Sequence, residues 1–408
     1  MSEELFGFDT TPPKEAHFGE PGLVGQASAK EQIQRVLNSE RVGHAYLFIG
    51  PKGCGKTAFA LAMAEWVNGI EHLSNPVGST FSSKATWATH PDIHLFFPIP
   101  VSVTESDRKA RMELLKNDPY EIVDYAFRPS ITGTSGSKNQ RAFYSIQYFR
   151  ETIRPVTVLK PNEGRRTVVI LTSIDTMRAE TANAFLKLLE EPSGQVLFIL
   201  TAESSDSVLP TIRSRCQQIR FQPLSMRDVQ DALIERDGFS VEDASYLARL
   251  TDGFYALAKF QDIDQLRESR NELIQFLRSS YTQDAPELLR LIQSWNTRLN
   301  LEGQLSLLNS LELILRDVLL VRETGEREFI THQDQADVIQ KIASTLQEAN
   351  LDEMIQQISE FRTSLMQNVQ FKLIMPVVAL RFFSLMRGKE PVLSSFDPWK
   401  HIPAFVDS

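Results

Sequence analysis

Gly50-Pro51-Lys52-Gly53-Cys54-Gly55-Lys56-Thr57 reads G-x-x-x-x-G-K-T, with an apolar run at Ala45–Ile49 before it and a helical pattern over residues 58–67 after it. Strand, glycine-rich turn and helix in that order make a phosphate-binding loop. Glycines at 53 and 55 let the backbone turn its N–H groups inward around phosphate oxygens. Lys56 adds a point charge near the outer phosphates, and the Thr57 hydroxyl can ligand Mg²⁺. The loop is suited to ATP or ADP, held by Gly50, Pro51, Lys52, Gly53, Cys54, Gly55, Lys56 and Thr57, with Mg²⁺ through Thr57 if nucleotide is bound; the alternative is a relict loop that keeps its shape without turnover.

Outward from the loop, strand-like runs at 168–171 and 196–201 alternate with a helical pattern over 179–191. Such alternation predicts an α/β fold, a parallel sheet flanked by helices. It spans 21–224, behind an irregular segment 1–20. An insertion over about 98–145 interrupts it, with a short helix near 107–116 and then a Ser-, Thr-, Gly- and base-rich stretch containing Arg128, Lys138 and Arg141. The insertion reads as a mobile, solvated loop, with contact to nucleic acid or a partner as the alternative.

The tract Gln222-Pro223-Leu224-Ser225 then breaks the pattern and offers a serine N-cap, so 225–262 is expected to form a small domain of short amphipathic helices. From 263 to 386 apolar residues recur at helical spacing, as at Leu305, Leu308, Leu311, Leu315 and Leu319. That pattern predicts an all-α domain. Residues 387–408 carry three prolines without periodicity and read as a tail.

Composition narrows the classes. With 42% hydrophobic and 23% charged residues in 408, the chain is an ordinary folded protein of more than one domain. Residues 1–20 have acids and prolines but no apolar segment, and no run reaches the ~18 apolar residues of a membrane helix. Neither signal peptide nor membrane anchor is expected. Two cysteines, Cys54 and Cys216, are too few for a disulfide framework, so a reducing, cytoplasmic compartment is expected. The formal charge of −9 argues against a free-standing, non-specific DNA binder.

A hydrolase built on this loop needs an Asp for the metal, and usually a Glu to polarise water, at the end of a neighbouring strand. After the run 167–171 stand Thr172 and Ser173. A hydroxyl is no general base at neutral pH, and losing the base typically lowers the rate by ~10²–10⁴. Asp175, two positions on, reads as a cap or turn former, with metal binding as the lesser alternative.

Val24-Gly25-Gln26, His44-Ala45-Tyr46-Leu47-Phe48 running into the loop, His90-Pro91-Asp92, the helix end Leu188-Leu189-Glu190-Glu191-Pro192, and Ser214-Arg215-Cys216 together resemble the AAA+ subunits of bacterial DNA polymerase III clamp loaders. The resemblance covers about 22–224; beyond 225 only the domain plan is similar. It implies that 225–262 is a lid and that 263–386 is a collar-like oligomerisation domain. In the ATP-hydrolysing gamma/tau relatives the positions of Thr172 and Ser173 are Asp and Glu, and an Arg lies near the position of Ala256. Both signatures are missing here, which implies the non-hydrolysing delta-prime branch of the family. A gamma/tau-like motor using Asp175 or Glu203 is the alternative.

The same resemblance puts Arg215 at the arginine-finger position, acting in trans on a neighbouring subunit, and Thr201 to Glu203 at sensor 1, with a structural role expected here. Glu190 and Glu191 end a helix, with a subunit-interface role as the alternative. The implied partners are gamma/tau- and delta-type subunits in a hetero-oligomer, with the sliding clamp and primed DNA reached through the complex and no membrane. Many relatives carry a four-cysteine zinc module after the loop helix. This chain has no cysteine between Cys54 and Cys216, and His90 with His94 makes no structural site, so zinc is not expected.

Overall fold

The apolar runs lie side by side as β1 (Ala45–Ile49), β3 (Thr167–Leu171) and β4 (Val196–Ala202), joined by β2 (Ile93–Phe96) and β5 (Gln217–Arg220). In the computed structural model all five pair in parallel, in the order β2-β3-β4-β1-β5, with Phe198 flanked by Ala45 and Val169. Residues 17–39, 42–75, 83–101, 103–125, 142–192, 195–299, 301–367 and 369–389 are described. Every residue of β1, β3 and β4 is buried. Strands covered on both faces read as unbroken apolar runs, which is why these three stand out in the sequence. At the edge, β5 buries Ile219 and exposes Gln217, Gln218 and Arg220. Polar edge side chains discourage a foreign strand from pairing there. The sequence reading missed β2, whose four residues include His94.

The chain divides into two units, Met1–Phe260 and Gln261–Ser408. In the first, helix α1 (Ala27–Asn38) precedes β1, and helix α2 (Lys56–Val67) is buried from Ala58 through Val67. Alanines at 58, 60, 62 and 64 keep α2 slim enough to sit deep in the core. The helix Ala179–Glu190 packs Phe185 edge-on against Phe198 of β4, ring centroids 5.3 Å apart. It stops ahead of Pro192, whose ring disfavours a helical residue before it. Three short helices end the unit, Met226–Glu235, Val241–Leu250 and Tyr255–Lys259. Ser225 Oγ accepts the Asp228 N–H and Ser240 Oγ the Asp243 N–H, both at 3.1 Å. Such caps stabilise a helix by roughly 1 kcal/mol each.

The second unit is helical: Ile263–Thr282, Ala285–Arg298, Leu301–Thr324, Ala336–Thr345, Leu351–Met366 and Phe371–Leu385. Leu308, Leu311 and Leu315 share its core with Trp295, Met354 and Phe382. Asp262, Asp284 and Asn350 cap three of these helices.

The short helix expected near 107–116 is present, but the residues around it are not the solvated loop expected of the insertion. Helix α3 (Glu105–Asn117) is capped by Thr104, and its Arg111 is wholly buried. That guanidinium bonds Asp107 and the Val123 carbonyl, each at 2.8 Å, and lies 3.6 Å from the Tyr125 ring centroid. A buried, fully paired arginine and a buried Leu115 hold residues 103–125 in the fold, so this half of the insertion is no solvated loop. Arg128, Lys138 and Arg141, with segments 1–16 and 390–408, lie outside the described residues.

Candidate functional site

The loop leaves β1 at Gly50, whose N–H donates to the Ala202 carbonyl of β4 at 3.2 Å. Gly53 and Gly55 have φ of 79° and 92°, the left-handed region where a side chain is strained. Gly55 is the N-cap of α2 and has no side chain to satisfy the helix's first N–H groups. Those N–H groups point into the turn, as an anion-binding loop requires.

The charges around the loop are already engaged. Lys56 Nζ donates to the Gly50 and Pro51 carbonyls, both at 2.5 Å, and burial lowers its pKa. Lys52 Nζ pairs with Asp124 at 3.1 Å and Glu203 at 3.2 Å. Burial opposes the charge on Lys52, but the two carboxylates outweigh it and raise its pKa. Cys54 is buried, and burial pushes its thiol up, away from the reactive thiolate.

Thr172 and Ser173 follow β3 and line the cleft beside the loop. Thr172 Oγ1 lies 3.5 Å from the Phe96 carbonyl, while the Ser173 backbone N–H donates to the Thr201 hydroxyl oxygen at 3.0 Å. Thr201, at the sensor position, thus braces the end of β3. Asp175 lies in the short turn Ile174–Thr176 and does not line the cleft. Burial, with Glu203 nearby, raises its pKa, and its Oδ1 is buried without a hydrogen-bond partner. No group of three or more His, Cys, Asp or Glu that could hold a metal occurs among the described residues. His90 Nδ1 accepts the Asp92 N–H at 3.1 Å, and His94 stacks on Phe96.

Residues 119–124, which the sequence reading did not connect to the loop, form one wall of the cleft. The nearest atom to a methyl placed on Gly55 would be Tyr120 Cε1, at 3.1 Å. Tyr120 Oη accepts the Val24 N–H at 2.7 Å, and its ring meets Tyr255 edge-on at 5.0 Å. From the other side the Ala256 N–H donates to the Gly53 carbonyl at 3.3 Å. Gln26 Nε2 bonds the carbonyls of Cys54 and Gln222, fastening the loop to the strand that leads to the small helices. What remains is a cavity of about 110 Å³. Small-molecule and cofactor sites usually enclose ~300–1,000 Å³. Gly50 to Thr57 have the geometry of a phosphate loop, in a cleft narrowed by Tyr120 and by the Tyr255–Lys259 helix.

Arg215 lies elsewhere. It occupies the turn between the Pro210–Arg213 helix and β5, outside the cleft lining. Its guanidinium bonds Glu190 Oε1 at 2.7 Å and the Thr211 carbonyl at 2.9 Å. The neighbouring Cys216 is buried in the sheet's core, its thiol pushed up to about 12 by burial. The Ser-Arg-Cys sequence therefore anchors its cysteine inside and leaves the arginine at the surface, beside the acidic end of the Ala179–Glu190 helix.

A phosphate loop on a parallel sheet of this order, followed by three small helices, defines an AAA+ protein. Models of the families described as DNA polymerase III, delta subunit, and DNA polymerase III, delta subunit, C terminal, match residues 25–225 and 264–382. The chain belongs to the DNA polymerase III delta-subunit family. It is similar to DNA polymerase III subunit delta' of Bacillus subtilis, 27% identical over 87% of this chain and 95% of that one. It is also similar to subunit delta' of Pseudomonas aeruginosa, at 26% over 62% of this chain and 66% of the relative. Subunit gamma/tau of Mycobacterium tuberculosis matches at 29% over 55% of this chain and 32% of its own length. Among solved structures, a DNA polymerase III gamma subunit-related protein of Thermotoga maritima overlays with a TM-score of 0.41 at 17% identity, covering 88% of this chain and 99% of that one.

Proposed function

We propose that this chain is the non-hydrolysing, delta-prime-type subunit of a DNA polymerase III clamp loader, supporting ATP-dependent loading of a sliding clamp onto primed DNA. The observation that carries the reading is the end of β3. Thr172 and Ser173, neither of them acidic, line the cleft where a hydrolase presents carboxylates, Thr172 Oγ1 near the Phe96 carbonyl and the Ser173 N–H on Thr201 Oγ1. The gamma/tau alternative needs another acid. Asp175 and Glu203 do not line the cleft, burial favours the neutral form of Asp175, and Glu203 is paired with Lys52.

In this reading Arg215 is the contribution to catalysis. Its planar, permanently charged fork suits a neighbour's phosphates, and an arginine supplied in trans is worth ~10³–10⁵ in rate at the site it serves. The partners are gamma/tau- and delta-type subunits, and the setting is the cytoplasm. No helix among the described residues is long and apolar enough to cross a membrane.

A steady-state ATPase assay on the purified chain tests the reading. The expected result is turnover far below the ~1 s⁻¹ usual for enzymes. Turnover at that rate, abolished by Lys56→Ala, would establish the motor reading instead.

A further inference from the structure

We propose that residues 118–125 are a built-in occupant of the nucleotide cleft, which fastens the small helical domain over the phosphate loop in the place of a nucleotide and closes the loop to ATP and ADP. The inference rests on the cleft's contents and stands apart from the clamp-loader reading.

The segment meets what a nucleotide would meet. Two of its carboxylates engage cations on either side of the cleft: Asp124 pairs with Lys52 of the loop, and Asp118 with Lys259 of the Tyr255–Lys259 helix at 2.7 Å. Lys259 also binds Asp237, and Asp237 Oδ2 accepts the Tyr255 hydroxyl at 2.6 Å. Tyr120, 5% exposed, lies between: ring against Gly55 and Tyr255, hydroxyl on the Val24 N–H. One short segment therefore bonds the approach to α1, the loop and the last small helix at once.

The segment is itself held in place. Asp118 Oδ1 accepts the Tyr120 N–H at 2.8 Å, its backbone carbonyl accepts the Glu121 N–H at 3.1 Å, and buried Arg111 of α3 ties down the Val123 carbonyl. The remaining Lys56 charge is met by the loop's own carbonyls. A nucleotide taking the place of this segment between the loop and the last small helix would have to displace a buried aromatic ring and two ion pairs.

The test is equilibrium titration of the full chain with a fluorescent ATP analogue and Mg²⁺, with ADP as competitor. Three proteins are compared: wild type, Lys56→Ala, and the triple variant Asp118→Asn, Tyr120→Ser, Asp124→Asn. Wild type is expected to show no saturable binding up to about 1 mM, equivalent to a binding free energy weaker than about −4 kcal/mol. The triple variant, folded by circular dichroism, is expected to gain binding at least about tenfold tighter, which Lys56→Ala removes. Saturable, Lys56-dependent binding to wild type below 1 mM overturns the proposal, as does a folded triple variant without the gain. If the triple variant does not fold, hydrogen exchange on wild type decides. Unchanged protection of 50–57 and 118–125 on adding ATP and Mg²⁺ supports the built-in occupant, and new protection overturns it.

Discussion

Two aspartates in the first unit, Asp92 buried and Asp175 half-buried, have pKa values shifted in opposite directions, and each shift has a visible cause. Asp92 is opposed by burial, but its carboxylate accepts the N–H groups of Asn162, Glu163 and Gly164 at 2.7–2.8 Å, and these bonds lower its pKa below the ordinary 3.8. Its contribution is therefore fully present above the unfolded value and is lost as pH falls through the folded one. Asp92→Ala is expected to lower stability by about 2–3 kcal/mol at pH 7, the scale of hydrogen bonds to a charged group. In urea denaturation the difference from wild type should shrink below pH 4, and a loss that is pH-independent would contradict the assignment. Asp175 has the reverse sign. Burial raises its pKa, so its contribution is present below the unfolded value and is lost as pH rises through the folded one. Asp175→Asn is expected to melt slightly above wild type at pH 7, with the advantage narrowing toward pH 4. An unchanged or lower Tm at pH 7 would show that the buried carboxylate has a partner. His90-Pro91-Asp92 was legible in the sequence only as a resemblance, because the groups that Asp92 binds lie some seventy positions away.

Among the elements, what could be read was what is local. β1, the loop and α2 form one continuous stretch in which the glycines, the lysine and the apolar runs announce each other. The same holds for the helix ending at Glu190 before Pro192 and for the serine cap at 225. β2 is only Ile93-His94-Leu95-Phe96, too short and too mixed for a period to show. The 118–125 segment escaped notice for another reason: Tyr120 meets Val24 across 96 positions, and Asp118 meets Lys259 across the whole sheet domain. The Phe371–Leu385 helix shows the limit of periodicity from the other side. Its apolar residues divide, with Phe371, Ile374 and Phe382 in the core and Leu373 and Leu380, 59% and 54% exposed, seven residues apart on the outer side. If this stripe is part of the oligomerisation surface, Leu373→Asp with Leu380→Asp leaves the isolated chain's stability within ~0.5 kcal/mol per site, as exposed substitutions do. The same pair should weaken co-purification with the other clamp-loader subunits at least about tenfold. Full assembly of the double variant would remove this face from the interface.

For the whole molecule, the phosphate loop and Arg215 have separate roles. Gly50 to Thr57 keep the shape of a phosphate loop with residues 119–124 along its cleft, while Arg215 lies at the surface beside Glu190. On the proposed function, this subunit's contribution to catalysis is Arg215 reaching into a neighbour's active site. The family match runs through both units, 25–225 and 264–382. The most direct measurement is the clamp- and DNA-stimulated ATPase of the reconstituted complex, with this chain carrying Lys56→Ala or Arg215→Ala and with incorporation of each variant verified. The account predicts that Lys56→Ala leaves the rate unchanged, while Arg215→Ala removes the turnover of the one site it serves, where such an arginine is worth ~10³–10⁵. A complex impaired by Lys56→Ala and indifferent to Arg215→Ala would contradict it.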